Sequence, residues 1–231
     1  MAISRRHALR ASLLGGAGVA LATAAPAPAW AEPGLPFAGG AHEALRLLKE
    51  GNRRWRRFAS RHPNEGRNRR IEVAQGQNPF ALILGCADSR VAPELVFDRG
   101  LGDLFTVRSA GEVLDSSVLG SIVYAVEHLA VPLVVVQGHS SCGAVSAAVE
   151  AHRTGELPHG HVGYLVEQIL EVVESTPEDG DDFIEDCVRA NAVHVADLLR
   201  RDEELRPFVE AGDLHIVAAR YDLRGYGVDW L

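Results

Sequence analysis

The sequence has few cysteines, few positive charges and few long apolar runs. These shortages argue against a chain fully paired in disulfides, a nucleic-acid partner and a membrane span. Its three cysteines are an odd number, so they cannot all be paired in disulfide bonds within one chain. With 23 basic and 31 acidic residues the net charge is −8, so we expect no nucleic-acid partner. Outside the N-terminus, no apolar run is long enough to form a stable membrane span. The length of 231 residues and the ordinary composition favour one globular domain with a substantial core.

The first 31 residues differ from the rest and are predicted to be a signal peptide. Arg5 and Arg6 precede an Ala/Leu/Gly-rich stretch that ends in the A-x-A pattern of residues 29–31. Paired arginines before a mildly apolar segment resemble a twin-arginine (Tat) export signal. We therefore expect a mature chain from Glu32 that works in the periplasm or outside the cell. The alternative is a membrane anchor that is never cut.

Beyond the signal, strands and helices alternate along residues 32–231. Continuous apolar runs bounded by turn residues predict buried strands, and apolar residues at helical spacing predict helices. This alternation predicts a single α/β domain with a central, mostly parallel sheet flanked by helices. The predicted helices are 41–59, 116–130, 143–155, 162–175 and 181–201, and the predicted strands are 79–85, 104–109, 132–139, 214–223 and a short edge strand at 227–231.

Two of the predicted strands end in residues that bind metals. The first is followed by Cys86, and the second ends at His139 and is followed by Cys142. Ligands of open α/β sheets gather at the carboxyl ends of the strands, so we expect these three side chains to converge. Two thiolates and an imidazole suit zinc, and three protein ligands leave a fourth position open, as in catalytic zinc sites. Cys142 is also expected at a helix N-terminus, which lowers the pKa of a thiol.

Each of these residues also has a simpler interpretation. A cysteine at a strand end is often inert packing, and an H-x-x-C spacing also occurs by chance. Cys86 and Cys142 are also candidates for a simple disulfide in an exported protein. Asp88 and Arg90, directly after Cys86, form either a catalytic pair or an ion pair that stabilises a loop.

The segments "CADSRV" and "HSSCGAV" together resemble the β-class carbonic anhydrases of bacteria, which carry C-x-D-x-R and H-x-x-C signatures. The similarity extends over most of the mature chain, through "GLGDLFTVRSAG", "VLGSIVYAVEHLAVPLVVVQGHSSCGAV", "CVRAN" and "YDL". It implies that Cys86, His139 and Cys142 hold one Zn²⁺ per chain. It also implies reversible hydration of CO2 to bicarbonate and a proton, by a hydroxide in the fourth position at zinc.

The resemblance also gives roles to the residues around these ligands. Arg90 is expected to keep Asp88 ionised and oriented, and Asp88 to aim the hydroxide at the carbon of CO2. In some members the aspartate instead becomes a fourth zinc ligand and closes the site, so Asp88 is also a candidate ligand. Gly143 is expected to offer its backbone N–H to CO2 or bicarbonate. Family members form dimers or larger assemblies, so we expect a homodimer or homotetramer, with Trp55 and Phe58 at the contact.

Some positions depart from the family pattern. Where relatives commonly read "RNAGN", this chain reads "RSAGE", with Ser109 and Glu112. Ile83 stands where members that are inhibited by bicarbonate carry tryptophan, although Arg108 and Tyr221 match other members of that pocket. Three other functions remain: a carbon disulfide or carbonyl sulfide hydrolase on the same scaffold, a non-catalytic zinc-binding protein, and a thiol redox protein that uses Cys86 and Cys142.

Overall fold

The computed structural model describes residues 37–231, so the predicted signal peptide lies outside the described residues. Most predicted elements are present, with ends that shift by a few residues. Three further short helices, at 67–73, 93–96 and 206–211, were not predicted. The helices are α1 Gly40–Arg56, α2 Arg67–Val73, α3 Pro93–Val96, α4 Ser116–Leu129, α5 Gly143–Thr154, α6 Gly160–Ser175, α7 Phe183–Arg201 and α8 Arg206–Ala211, and the strands are β1 Ala81–Cys86, β2 Leu104–Ser109, β3 Leu133–His139, β4 His215–Tyr221 and β5 Val228–Trp230.

The five strands form one sheet in the order β2-β1-β3-β4-β5. The first four run parallel, and β5 pairs antiparallel with β4 at one edge. This confirms the predicted α/β fold with a mostly parallel sheet. The chain leaves β1 for β2 on one side and then crosses to β3 on the other side. The carboxyl ends of β1 and β3 therefore flank the point where strand order reverses, which is where such sheets bind ligands.

Both central strands are apolar throughout because helices cover both faces of the sheet. Every residue of β1 and β3 is buried. On one face, α4 and α7 pack over Leu82, Leu84 and Val134, and on the other, α1, α5 and α6 pack over Ile83 and Val135. The rigid double-sided packing fixes the positions of the residues that end these strands.

The packing of α7 predicts different effects for two adjacent leucines. Leu199 is fully buried against the sheet, whereas Leu198, on the solvent side, is 40% exposed. We expect Leu199→Ala to lower the free energy of unfolding by about 3 kcal/mol, because it removes buried methyl groups and leaves a cavity. The matched change Leu198→Ala is expected to cost less than about 1 kcal/mol. Urea unfolding of both variants measures this, and equal losses would contradict the described face of α7.

Candidate active site

Cys86, His139 and Cys142 meet at the carboxyl edge of the sheet. Cys86 ends β1, His139 ends the neighbouring strand β3, and Cys142 lies three residues on as the N-cap of α5. All three side chains are buried, and their ligand atoms lie within 4.8 Å of one another. In residues 37–231 no other group of three or more His, Cys, Asp or Glu residues is arranged in this way. The convergence predicted from the strand ends is therefore present.

His139 directs a free lone pair toward the two sulfurs. Its Nδ1 lies 3.0 Å from the backbone oxygen of Ser140, so Nδ1–H donates to that carbonyl. This hydrogen bond fixes the ring so that Nε2 is the nitrogen next to the two sulfurs. Within the described residues Nε2 is buried and has no hydrogen-bond partner. A buried acceptor without a partner costs free energy, and a metal ion between Nε2 and the two sulfurs would satisfy it.

The two thiols are reduced and in contact. Their Sγ atoms are 4.0 Å apart, about twice the length of a disulfide bond. A hydrogen bond between the two sulfurs requires one thiol and one thiolate, and this contact lowers the pKa of Cys86 and raises the pKa of Cys142. Burial raises the pKa of Cys142 further. The backbone of Val145, in the first turn of α5, lowers it as expected for a helix N-terminus, but the raising effects are larger. A cation is needed for both sulfurs to be thiolates together.

Asp88 is paired with Arg90 rather than with the three ligands. The Arg90 Nε is 2.9 Å from Asp88 Oδ1 and its Nη2 is 2.6 Å from Oδ2, a two-point ion pair. The Arg90 side chain lowers the pKa of Asp88, so this carboxyl is ionised at neutral pH. Its Oδ2 remains only 3.9 Å from His139 Nε2. The carboxylate is therefore oriented, charged and next to the open side of the cluster.

Arg108 supports the loop that carries Asp88. From the end of β2, its Nε donates to the Cys86 oxygen at 2.9 Å and its Nη2 to the Asp88 oxygen at 2.6 Å. The sequence pattern associated Arg108 only with a pocket for bicarbonate inhibition. The pairing of β2 with β1 places Arg108 opposite Gly85, next to the loop that it supports. A strand alignment made from the sequence could therefore have indicated this role.

The backbone of Gly143 faces open space. Gly143 is the first residue of α5, and a Cβ atom built on it would meet no other atom within 4 Å. The free N–H groups at the start of a helix favour an anionic ligand. This position therefore has the room and the polarity for a small substrate beside Cys142.

Glu112 is a buried carboxyl group that the sequence did not identify as buried. It ends the turn Ala110–Glu112 that follows β2, at a left-handed φ of 56°, and is only 1% exposed. Its Oε1 has no hydrogen-bond partner in the described part of the chain, and Oε2 lies 3.5 Å from Asn191 Nδ2. Burial, and then the Cys86 sulfur, raise the pKa of Glu112 well above its usual value.

This burial predicts that Glu112→Gln stabilises the metal-free protein. A carboxyl group whose pKa is raised by folding lowers the free energy of unfolding once the pH exceeds the unfolded-state pKa of about 4.3. The loss grows with pH until the folded-state pKa is reached. At pH 7 we expect the variant to gain about 1–2 kcal/mol, because no proton has to be bound on folding. The gain should shrink as pH falls toward about 4. Denaturant unfolding from pH 5 to 8 measures it, and a gain that is independent of pH would contradict a neutral buried Glu112.

The remaining histidines and the third cysteine form no site of this kind. His152, His159 and His161, near the end of α5 and the start of α6, do not converge with other ligands in residues 37–231. Cys187 is buried in the core side of α7. No helix within residues 37–231 has the length and apolarity to span a membrane.

A buried Cys-His-Cys group that could hold a metal ion, at a sheet switch point beside an oriented carboxylate, is typical of an enzyme of the α/β class. Residues 81–226 match the sequence profile of the family described as carbonic anhydrase. The chain belongs to the β-class carbonic anhydrase family. It is 47% identical over 182 residues to "Carbonic anhydrase 2" of Mycobacterium tuberculosis strain H37Rv, which spans 78% of this chain and 87% of that protein.

Further relatives agree with this assignment. The "Carbonic anhydrase" of Mycolicibacterium smegmatis is 44% identical over 184 residues, covering 78% of this chain and 88% of that protein. Among solved structures, the Coccomyxa β-carbonic anhydrase in complex with acetazolamide superposes with a TM-score of 0.66 at 25% identity, covering 81% of this chain and 86% of that one. A tetrameric β-carbonic anhydrase of Sordaria macrospora shares the fold, with a TM-score of 0.64 at 22% identity over 82% of this chain and 95% of that one.

Proposed function

We propose that this chain is a zinc enzyme that catalyses the reversible reaction of CO2 with water to bicarbonate and a proton, with one Zn²⁺ per chain. The observation that carries the proposal is the unpartnered Nε2 of His139, which is buried beside the sulfurs of Cys86 and Cys142. Two sulfurs and one imidazole nitrogen are a donor set that zinc prefers, and the set leaves one coordination position open. When bound, zinc makes water a nucleophile near neutral pH.

The protein residues supply orientation and binding. The carboxylate of Asp88, ionised by its pair with Arg90, accepts a hydrogen bond from the attacking water and directs a lone pair at CO2. Arg108 holds the loop that carries this carboxylate. There is open space beside Gly143 at the start of α5, and its N–H is the proposed donor to a substrate oxygen. In this arrangement Asp88 orients the nucleophile and is not a fourth ligand.

The test is stopped-flow CO2 hydration by the zinc-loaded protein between pH about 6.5 and 9, the range around the pKa of zinc-activated water. We expect hydration to rise with pH and to disappear when zinc is removed. Carbonyl sulfide is the matched second substrate. Turnover of carbonyl sulfide without CO2 hydration would show that the substrate is carbonyl sulfide and not CO2. Zinc binding without either activity would indicate a structural zinc protein.

We propose in addition that the protein is exported and is a homodimer or homotetramer. Export is proposed from the twin-arginine pattern of residues 1–31 alone, and pulse labelling in a Tat-deficient host tests it. The Sordaria relative is described as tetrameric. An exposed aromatic surface supports association of this chain: Phe58 is 82% exposed and packs edge-on against Tyr226, with ring centroids 5.4 Å apart.

This surface predicts the effect of Phe58→Ser on assembly. An exposed aromatic residue at the centre of an interface is a typical hot spot, and we expect its loss to raise the dissociation constant about tenfold or more. Leu157→Ser, which changes another exposed apolar side chain, is the matched control. Light scattering across a dilution series measures both, and an unchanged oligomer in Phe58→Ser would remove this residue from the interface.

A further inference from the structure

The turn Ala110–Glu112 passes directly over one of the cluster sulfurs. The Gly111 N–H donates to Cys86 Sγ at 3.4 Å. Gly111 has a φ of 66°, and a Cβ built there would lie 2.6 Å from Ile169 Cδ1 and 2.9 Å from Ala144 Cβ. Only glycine fits this passage between α5 and α6 without displacement. The turn therefore approaches the sulfur as closely as the packing allows.

Asn191 of α7 holds the other side of the same peptide. Its Nδ2 donates to the Gly111 oxygen at 2.9 Å, and the Asn191 side chain is 1% exposed. The same Nδ2 lies 3.5 Å from Glu112 Oε2. A single buried amide group thus contacts both the residue that faces the sulfur and the residue that ends the turn. In the described chain, these contacts link α7 to the metal cluster.

Glu112 gives the Asn191 amide a second acceptor. Its Oε2 lies 3.5 Å from Asn191 Nδ2, and the side chain is only 1% exposed. A carboxyl oxygen accepts from this amide as a glutamine oxygen would. Glu112 therefore adds a hydrogen-bonding partner to the turn.

We propose that Asn191 and Glu112 are positioning residues of the metal centre, which hold the turn so that the Gly111 N–H stays on the Cys86 sulfur. An N–H donor favours the thiolate form of a cysteine and fixes the orientation of its sulfur, and the loss of such supporting hydrogen bonds weakens metal binding. The inference deepens the metal centre proposed above and rests on it. It predicts a role for α7, which supplies no ligand.

The test is NMR of the full, ¹⁵N-labelled protein loaded with ¹¹³Cd²⁺. A hydrogen bond from an amide to a metal-bound sulfur transmits a cadmium–proton coupling. We expect this coupling at the Gly111 amide, and also at the Asp88 amide, which interacts with the same sulfur from its own loop. Asn191→Leu removes the contact to the Gly111 oxygen at similar volume, so it should abolish the Gly111 coupling and leave the Asp88 coupling.

Three further variants separate positioning from general stability. Glu112→Gln keeps a neutral partner for Asn191 and should retain both couplings. Val195→Ala, one turn away in α7 at a buried position, loses stability without contacting the turn and should also retain both. Asn191→Ser, too short to reach the Gly111 oxygen, repeats the test if Asn191→Leu does not fold. For the Asn191 variants we expect Cd²⁺ affinity about tenfold weaker by chelator competition.

The outcomes are distinct. No Gly111 coupling in the wild type, or a Gly111 coupling that survives in both Asn191 variants, overturns the inference. Loss of the Gly111 coupling in Glu112→Gln overturns the role of Glu112 as an acceptor that an amide oxygen can replace. Absence of any ¹¹³Cd signal from thiolate ligation in the wild type would instead be a failure of the proposed metal centre.

Discussion

Asp88→Asn is expected to lower kcat/KM for CO2 hydration by about 10²–10³, the typical effect of removing one preorganised polar group from a transition state. The amide has the shape of the carboxylate, but it is neutral and lacks one acceptor oxygen. The two-point ion pair with Arg90, at 2.9 and 2.6 Å, would be weakened at the same time. Because Asp88 is not among the three converging ligands, zinc content should remain that of the wild type.

The measurement combines stopped-flow hydration with zinc analysis of the same preparation. Glu167→Gln makes the same chemical change on the exposed side of α6 and should leave the rate unchanged. If zinc content falls together with activity in Asp88→Asn, Asp88 acts as a metal ligand and not as an orienting acceptor. If neither falls, the Asp88–Arg90 pair is only a structural ion pair of the loop.

Cys142→Ser is expected to have the larger effect, with loss of bound zinc and of CO2 hydration by about 10³-fold or more. Activation of water by a metal contributes several kcal/mol to catalysis, and each 1.36 kcal/mol is a factor of ten. A buried serine is a poor zinc ligand because its hydroxyl does not ionise near neutral pH. The expected readouts are zinc content after gel filtration and the rate at saturating added zinc.

Cys187→Ala is the matched control, because Cys187 is an equally buried cysteine in α7 away from the cluster. We expect this variant to retain zinc and activity. Circular dichroism of both variants verifies folding. Retention of a full equivalent of zinc by a folded Cys142→Ser would remove Cys142 from the ligand set.

The sequence predicted the parts of the fold that depend on local pattern. The apolar runs of β1 and β3 have a single interpretation as buried strands, and the residues after them follow from the common edge of a parallel sheet. The helix α3, with four residues, and α8, with six, are too short for a periodic pattern, so they were not predicted. The Arg-rich helix α2 buries none of its residues, so it has no apolar face to recognise.

Contacts between distant segments could not be predicted in the same way. Glu112 is charged in the sequence, and nothing local indicates that α7 covers it. The contact between Asn191 and Gly111 joins residues 80 positions apart, through packing of α7 over the turn. In the structure Asp88 pairs with Arg90, which is one of the two arrangements that the sequence left open. The Asp88→Asn measurement tests the other, in which Asp88 is a metal ligand.

The two sulfurs of the cluster lie 56 positions apart in the chain, one at the end of β1 and one at the start of α5, and they meet only when the sheet has formed. A cation held by both would act as a crosslink on the denatured chain. By the loop-entropy relation for disulfides, closing a loop of that size lowers denatured-state entropy by an equivalent of about 4 kcal/mol. A catalytic ion would then also stabilise the fold of this chain, whose cysteines form no disulfide in the described residues. Loss of the ion would therefore lower both the catalytic activity and the free energy of unfolding.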